Sequence, residues 1–167
     1  VTTNLGIAFA EFGRRTLIVD ADTRRGDIHR NLGAQRKPGL TEYLRGAVDG
    51  REILQTTSHP RLDFFSSGGR VSNSPELIGS RQMARVMNAL RQRYDVVLVH
   101  SPPLGAGSDP LMLATMSGNM LFVVRSGTTH KVLTQVKLEP LRHLPVRLLG
   151  VVLNDFVPDK LTAYKYY

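Results

Sequence analysis

The chain has 167 residues, which is enough for one domain with a hydrophobic core. It contains no cysteine, which excludes a disulfide frame and a cysteine-ligated zinc cluster. The formal net charge of +8 suits phosphates, nucleic acid or an anionic membrane surface, and an arginine-rich solvated surface explains it equally well. There is no signal peptide and no apolar run that could span a bilayer, so we expect a soluble intracellular chain.

Short apolar strands alternate with helical segments along the chain. The predicted strands cover residues 17–19, 62–65, 95–99, 120–124 and 148–153. The predicted helices cover residues 2–12, 111–116 and 129–144, the last with a bend or an early end at Pro140. Two further helices start at residues 74 and 80, and residues 41–44 and 52–54 are predicted to be parts of two short helices. This order predicts a parallel α/β sheet with right-handed crossovers, and no linker suggests a second domain.

The segment Leu17-Ile-Val-Asp20-Ala-Asp22-Thr-Arg24-Arg25 carries the strongest chemical signal. Its apolar part predicts a strand that is buried on both faces, and ligands of such sheets bind beyond the carboxyl ends of the strands. Asp20 and Asp22 can face one hard cation, and the arginines that follow them suit phosphate. A solvated strand-to-loop junction is the alternative explanation of an isolated Asp-x-Asp pair.

Other polar residues give weaker signals. Four histidines have no spacing typical of a metal site or a catalytic triad, and we expect ordinary surface or loop positions for them: His29, His59, His130 and His143. Asp109 precedes Pro110, and we interpret it as a helix cap. Ser101 lacks the flanking sequence of a nucleophile elbow.

Four segments and the tail resemble those of one family. They are the strand with Asp-x-Asp-x-Arg at 17–24, the segment Asn-Ser-Pro-Glu-Leu-Ile-Gly-Ser at 73–80, the segment Tyr-Asp-Val-Val-Leu-Val-His-Ser-Pro-Pro at 94–103, the strand Leu-Gly-Val-Val-Leu-Asn at 149–154, and the terminal tyrosines. Together they resemble bacterial tyrosine autokinases of capsule and exopolysaccharide synthesis. These enzymes are P-loop ATPases related to chromosome-partition and division-site ATPases.

The resemblance implies an α/β fold with a doubly wound, mainly parallel sheet and helices on both faces. It also implies that residues 1–157 form the P-loop-type kinase or ATPase domain and that residues 158–167 begin a tyrosine-rich C-terminal tail. The family's phosphate loop, GxxxxGK[ST], is not in this sequence, and residues 1–5 are similar to the helix that follows it. We therefore expect the domain to be incomplete at its N-terminus, without its first strand and phosphate loop.

The same resemblance implies that ATP and Mg²⁺ bind at the ends of the strands. Asp20 and Asp22 would be the metal ligands and, with Arg24, the catalytic residues; Asp20 is the favoured acceptor of the proton from a tyrosine hydroxyl. The resemblance also assigns three residues to nucleotide binding, of which the first contacts the adenine base: Asn154, His100 and Ser101. Tail tyrosines of a neighbouring subunit would accept the phosphate: Tyr164, Tyr166 and Tyr167.

His100 stands where the family has an acidic residue. Magnesium prefers oxygen ligands, and imidazole is a poor substitute. The replacement therefore predicts weaker magnesium binding and slower phosphoryl transfer. If Asp20 and Asp22 alone hold the metal, position 100 would instead be tolerant of substitution.

The resemblance further implies a ring-like homo-oligomer, protein tyrosines as the substrate, and a membrane-embedded regulator of polysaccharide chain length as partner. The chain would then act in the cytoplasm at the inner face of the cell membrane, held there by that partner or by a missing N-terminal region. Two alternatives remain: a catalytically degenerate scaffold or regulator of the same family, and a partition-type ATPase that dimerises on DNA or membrane. The tyrosine tail and the 73–80 segment argue against the second alternative. Arginine and lysine are spread along the chain without an aromatic-interleaved basic block, so nucleic acid is not expected as a partner.

Overall fold

The computed structural model describes residues 1–157, which divide into two compact units. The first unit runs from Val1 to Ser117, and the second begins at Gly118. That residues 1–157 act as one domain stays a prediction. No helix within the described part of the chain is long and apolar enough to cross a membrane.

A four-stranded sheet forms the centre of the first unit. Its strands are β1 (Thr16–Asp20), β2 (Leu54–Thr56), β3 (Leu62–Phe65) and β4 (Val96–His100). The spatial order is β2-β3-β1-β4, with β1 parallel to both of its neighbours and β2 antiparallel to β3 at the edge. All five residues of β1 are buried, as expected for a parallel strand that is covered on both faces.

Helices cover both faces of this sheet. They are α1 (Thr2–Glu11), α2 (Ile28–Asn31), α3 (Leu40–Leu44), α4 (Ser74–Ile78), α5 (Arg81–Arg93) and α6 (Asp109–Ser117). Successive residues of β1 point to opposite faces: Leu17 and Val19 belong to the hydrophobic cluster that contains Met83 of α5, whereas Ile18 belongs to the cluster that contains Ala10 of α1. The predicted fold class, with a mainly parallel sheet and helices on both faces, is confirmed.

The second unit contains the parallel strands β5 (Asn119–Arg125) and β6 (Arg147–Asn154), joined through the helix α7 (Lys131–Leu138). The ladder pairs Phe122 with Val151 and Val123 with Val152, so both faces of this two-stranded sheet are apolar. The predicted long helix ends early, as expected for a segment that contains Pro140, and residues 139–143 form a 3-10 turn.

One predicted element is wrong. Residues 52–54 were expected in a helix, but Leu54 begins the strand β2 and pairs with Phe65 of β3. A helix of three residues is unstable because it forms too few hydrogen bonds to offset the cost of nucleation. The edge of β3, in contrast, provides backbone N–H and C=O groups with which residues 54–56 form hydrogen bonds. The side chain of Ile53 is fully buried next to this edge. Tertiary pairing therefore overrides the local pattern.

Candidate functional site

Three parallel strands of the first unit end side by side, and polar residues stand at each end. Strand β1 ends at Asp20, β4 ends at His100, and Ser66 and Ser67 follow β3. The register places Asp20 opposite His100, and the N–H of Ala21 donates to the carbonyl oxygen of His100 at 2.8 Å. The carboxyl edge of the sheet therefore brings the Asp-x-Asp segment next to the His100 segment.

Backbone N–H groups of the loop after β1 hold both carboxylates. Asp20 is fully buried; its Oδ1 accepts a hydrogen bond from the N–H of Asp22 at 3.2 Å, and its Oδ2 accepts one from the N–H of Ile28 at 3.4 Å. Asp22 is 6% exposed, and its Oδ1 accepts from the N–H groups of Arg24 at 3.1 Å and Arg25 at 2.9 Å. Among residues 1–157, no group donates a hydrogen bond to Oδ2 of Asp22, so this oxygen remains for a ligand.

Burial raises the pKa of the Asp20 carboxyl to about 7. The low-dielectric surroundings disfavour its charged form, and the negative charges of Asp22 and Asp27 add to this effect. The hydrogen bonds from the backbone of Asp22 and Ile28 oppose the rise because they stabilise the carboxylate. In the metal-free protein this carboxyl therefore changes its protonation state near neutral pH.

We expect the metal-free protein to lose stability as the pH rises from about 4 to about 7. The ordinary pKa of an aspartate is 3.8, so between this value and about 7 the folded state retains a proton on Asp20 that the unfolded chain has released. The complete effect is on the order of 4 kcal/mol. Urea unfolding in EDTA at a series of pH values measures it. The variant Asp20→Asn should lose this part of the pH dependence, and an unchanged profile in that variant would contradict the assignment.

Gly26 lets the loop close over the buried carboxylate. A β-carbon at this position would lie 2.5 Å from Oδ2 of Asp20, 2.6 Å from the carbonyl oxygen of Asp22 and 2.6 Å from Oγ of Ser67. The N–H of Gly26 donates to that same carbonyl oxygen of Asp22 at 2.7 Å. The loop can therefore take this path only if residue 26 has no side chain. Sequence patterns did not identify Gly26 or Ser67.

The substitution Gly26→Ala is expected to destabilise the protein by about 1–3 kcal/mol, because the added methyl group must displace buried polar atoms. The matched control is Gly50→Ala, since a β-carbon at Gly50 would meet its nearest atom, on the ring of Tyr43, at an ordinary 3.4 Å. The control should change the free energy of unfolding by less than about 0.5 kcal/mol. Urea unfolding compares the two variants. Similar losses in both would show that Gly26 has no special role.

The surroundings of His100 favour the uncharged form of its imidazole. Burial lowers the pKa of His100 below its ordinary value of 6.5, although the charges of Asp22 and Asp27 act in the opposite direction. Its Nδ1 lies 3.4 Å from Oγ1 of Thr2 at the start of α1. The side chain that stands opposite Asp20 therefore contributes no negative charge to this edge of the sheet.

The two aspartates fit a magnesium ion, and His100 does not. Within the described residues, no group of three or more His, Cys, Asp or Glu could hold a metal ion. Magnesium needs fewer protein ligands, since it keeps several waters and binds through one or two carboxylates together with substrate phosphates. Asp20 and Asp22 supply such carboxylates, and Oδ2 of Asp22 accepts no hydrogen bond from residues 1–157. A neutral imidazole is a poor ligand for this ion.

A chain of three buried polar side chains lies next to Arg24. Oγ1 of Thr23 donates to Oγ of Ser74 at 2.7 Å, and Oγ of Ser74 donates to Oδ2 of Asp109 at 2.6 Å. Nε of Arg24 lies 3.7 Å from the same Oδ2. The prediction that Asp109 caps a helix is wrong, because its carboxylate binds Ser74 and faces Arg24 instead. Pairing with residues distant in sequence has replaced the local cap.

The structure shows local contacts for two other predicted site residues. Oγ of Ser101, just beyond β4, donates to the carbonyl oxygen of Pro102 at 3.1 Å. Asn154 ends β6 in the second unit, where its carbonyl oxygen accepts a hydrogen bond from the N–H of Ser126 at 2.9 Å. The predicted phosphate acceptors lie outside the described residues: Tyr164, Tyr166 and Tyr167.

Comparison with known proteins places this geometry among bacterial tyrosine kinases. The chain is 34% identical over 166 residues to the putative tyrosine-protein kinase EpsB of Ralstonia nicotianae. This alignment covers 99% of the chain and 22% of EpsB. It is 30% identical over 155 residues to the tyrosine-protein kinase ptk of Acinetobacter johnsonii. The alignment covers 93% of this chain and 21% of that kinase, so the chain spans about a fifth of the length of these relatives. No protein-family model matches the chain.

Solved structures agree with the sequence comparison. The chimerical protein CapA2B2 superposes with a TM-score of 0.89 at 30% identity, covering 94% of this chain and 70% of that one. The kinase domain of the Escherichia coli tyrosine kinase ETK superposes with a TM-score of 0.90 at 28% identity, covering all of this chain and 66% of that one. Sequence and backbone therefore point to the same set of proteins.

Proposed function

Because the chain belongs to the family of bacterial tyrosine-protein kinases, we propose that it forms part of an ATP-dependent protein-tyrosine autokinase. By resemblance, this kinase regulates the synthesis and export of capsular or extracellular polysaccharide. Residues 1–157 would be its kinase domain, and residues 158–167 would begin its tyrosine tail. The observation that supports the proposal most is the placement of Asp20, Asp22 and Arg24 at the carboxyl end of a central parallel strand.

In this proposal the residues of the Asp-x-Asp-x-Arg segment have different tasks. Asp22 binds the metal through Oδ2, which accepts no hydrogen bond from the described residues. Asp20 is the second carboxylate of the metal site, and it also receives the proton of the tyrosine hydroxyl; burial raises its pKa to about 7 in the metal-free protein. Arg24 binds a phosphate through its guanidinium. Mg²⁺, when bound, neutralises negative charge on the phosphates.

The remaining assignments follow from the family. Asn154 contacts the adenine base, and Ser101 and His100 lie along the nucleotide. The tail tyrosines of one subunit are the substrates of its neighbour in a ring-like homo-oligomer: Tyr164, Tyr166 and Tyr167. A membrane-embedded regulator of chain length is the partner, and the kinase acts in the cytoplasm at the inner face of the membrane.

Phosphotyrosine formation tests the proposal. The full-length protein that contains this chain is incubated with ATP and Mg²⁺ and blotted for phosphotyrosine, beside an active kinase of the same family. We expect a signal that grows with time and disappears in EDTA. The absence of a signal, while the reference kinase labels itself, would rule out the autokinase.

A catalytically degenerate scaffold is the second candidate, and the neutral imidazole of His100 favours it. A scaffold would keep the fold and its partners but transfer phosphate poorly. A partition-type ATPase would instead bind DNA through its positive charge, with an affinity that falls steeply as salt is added. A DNA titration at two salt concentrations distinguishes this case from both kinase-family alternatives.

A further inference from the structure

The buried hydroxyl chain ends at a carboxylate that the proposed mechanism does not use. Asp109 is 0% exposed, Ser74 is 0% exposed and Thr23 is 1% exposed. Thr23 lies in the loop after β1, Ser74 in the first turn of α4 and Asp109 in the first turn of α6. The two hydrogen bonds at 2.7 and 2.6 Å therefore join three separate segments of the first unit.

Packing alone does not explain a carboxylate at this place. A fully buried carboxylate carries a large desolvation penalty, and an apolar side chain of similar volume often serves a core better. Oδ2 of Asp109 accepts a hydrogen bond from the hydroxyl of Ser74. Oδ1 of Asp109 is buried and has no hydrogen-bond partner among residues 1–157. The nearby positive charge is that of Arg24, whose Nε lies 3.7 Å from Oδ2.

The geometry leaves most of the Arg24 guanidinium free. A guanidinium has five N–H donors, and that of Arg24 makes no hydrogen bond to any residue in the described part of the chain. Its Nε edge faces Asp109, and its side chain is 41% exposed. Thr23, which is fixed by Ser74, lies between Asp22 and Arg24 in the chain. The network therefore holds both the backbone and the charge of Arg24 without occupying its terminal nitrogens.

We propose that Asp109 is a positioning residue for Arg24. Through Ser74 and Thr23 it fixes the Asp-x-Asp-x-Arg segment, and through its charge it orients the guanidinium with the terminal nitrogens open to a phosphate group. The catalytic consequence rests on the proposed function, in which Arg24 binds the phosphate. The orientation of Arg24 itself does not, and it is tested separately.

Chemical labelling of arginine tests the orientation. The full-length protein is treated with phenylglyoxal, and the rate of modification of each arginine is measured by mass spectrometry. In Asp109→Asn we expect Arg24 to react several-fold faster, because its guanidinium has lost the neighbouring negative charge, while Arg15 reacts as before. The matched control is Asp95→Asn, which removes the partner of Arg15 at 2.9 Å and should accelerate Arg15 only. An unchanged rate at Arg24 in Asp109→Asn would overturn the proposal.

Circular dichroism shows whether Asp109→Asn folds. If it does not, a second variant tests the proposal. Ser74→Ala removes the hydroxyl that joins Thr23 to Asp109 and leaves both charges in place. We expect a smaller acceleration of Arg24 in this variant and none at Arg15. No acceleration of Arg24 in a folded Ser74→Ala protein would overturn the role of the hydroxyl chain.

Kinetics separate positioning from a general structural role. We expect Asp109→Asn to lower kcat about tenfold with less than a twofold change in the KM for ATP, and Asp95→Asn to leave both unchanged. In the Arg24→Ala background, Asp109→Asn should have no further effect, because the residue through which it acts is absent. Effects that multiply in the double variant would overturn the proposal. If the unaltered protein forms no phosphotyrosine, the proposed function fails, and the labelling result still decides the orientation.

Discussion

Replacement of Asp20 by asparagine is expected to lower tyrosine phosphorylation by the full-length protein about a thousandfold or more, which corresponds to about 4 kcal/mol of transition-state stabilisation. An amide neither accepts the proton nor carries the negative charge that a divalent cation needs. The shape is preserved, and one oxygen can still accept a backbone N–H. The loss should therefore appear in the rate and not in the fold.

The same variant should be more stable than the unaltered protein at pH 8 in EDTA, because it no longer buries a charged carboxylate. Increased stability together with lost activity distinguishes a functional acid from a structural one. Initial rates of phosphotyrosine formation and urea unfolding measure the two effects. Asp95→Asn is the control, since Asp95 is partly exposed and pairs with Arg15 at 2.9 Å. Activity within tenfold of the unaltered protein in Asp20→Asn would contradict the assigned role.

Replacement of His100 by aspartate is expected to raise the rate at limiting Mg²⁺ about tenfold or more. A carboxylate is a better ligand for this ion than an imidazole, and even changes in the groups that support metal ligands alter affinity or activity by about 10–100-fold. The new carboxylate would lie opposite Asp20 on the neighbouring strand and add the missing negative charge. Without metal, two adjacent acids repel each other, so the variant should be less stable in EDTA and gain more stability from Mg²⁺.

His100→Asn is the control for this experiment, since it removes the imidazole without adding charge. Rates are measured over a magnesium titration, and thermal unfolding is followed with and without the ion. If His100→Asp and His100→Asn behave alike, the charge at this position has no influence on the metal. If the unaltered protein already works at ordinary kinase rates, the scaffold alternative is removed.

Local patterns in the sequence were sufficient for the elements that depend on them. The apolar run before Asp20 predicted β1, and residues 62–65 coincide with β3. The spacing of the apolar residues after Ser80 predicted α5, whose buried face consists of Met83, Val86, Met87 and Leu90. The end of a parallel strand predicted the position of the Asp-x-Asp pair, because strand direction alone decides which edge the pair occupies.

Features that depend on distant partners were not predictable in this way. Leu54 adopts a strand conformation because it can pair with the edge of β3. The residues that flank Leu54 in the sequence do not indicate this pairing. Asp109 resembles a helix cap locally, yet Ser74 and Arg24, brought in by the fold, decide its contacts. Gly26 is required because Ser67, which follows another strand, fills the space beside it.

The central position of β1 also affects how the first unit folds during synthesis of the chain. Thr16 pairs with Leu62 on one side and with Val96 on the other, so the strand emerges from the ribosome long before either neighbour exists. Pairing between residues so far apart in the sequence slows folding. Until β3 and β4 are made, the apolar residues 17–19 remain exposed and prone to aggregation. A chaperone that covers residues 16–20 during synthesis is therefore expected to reduce aggregation of the chain.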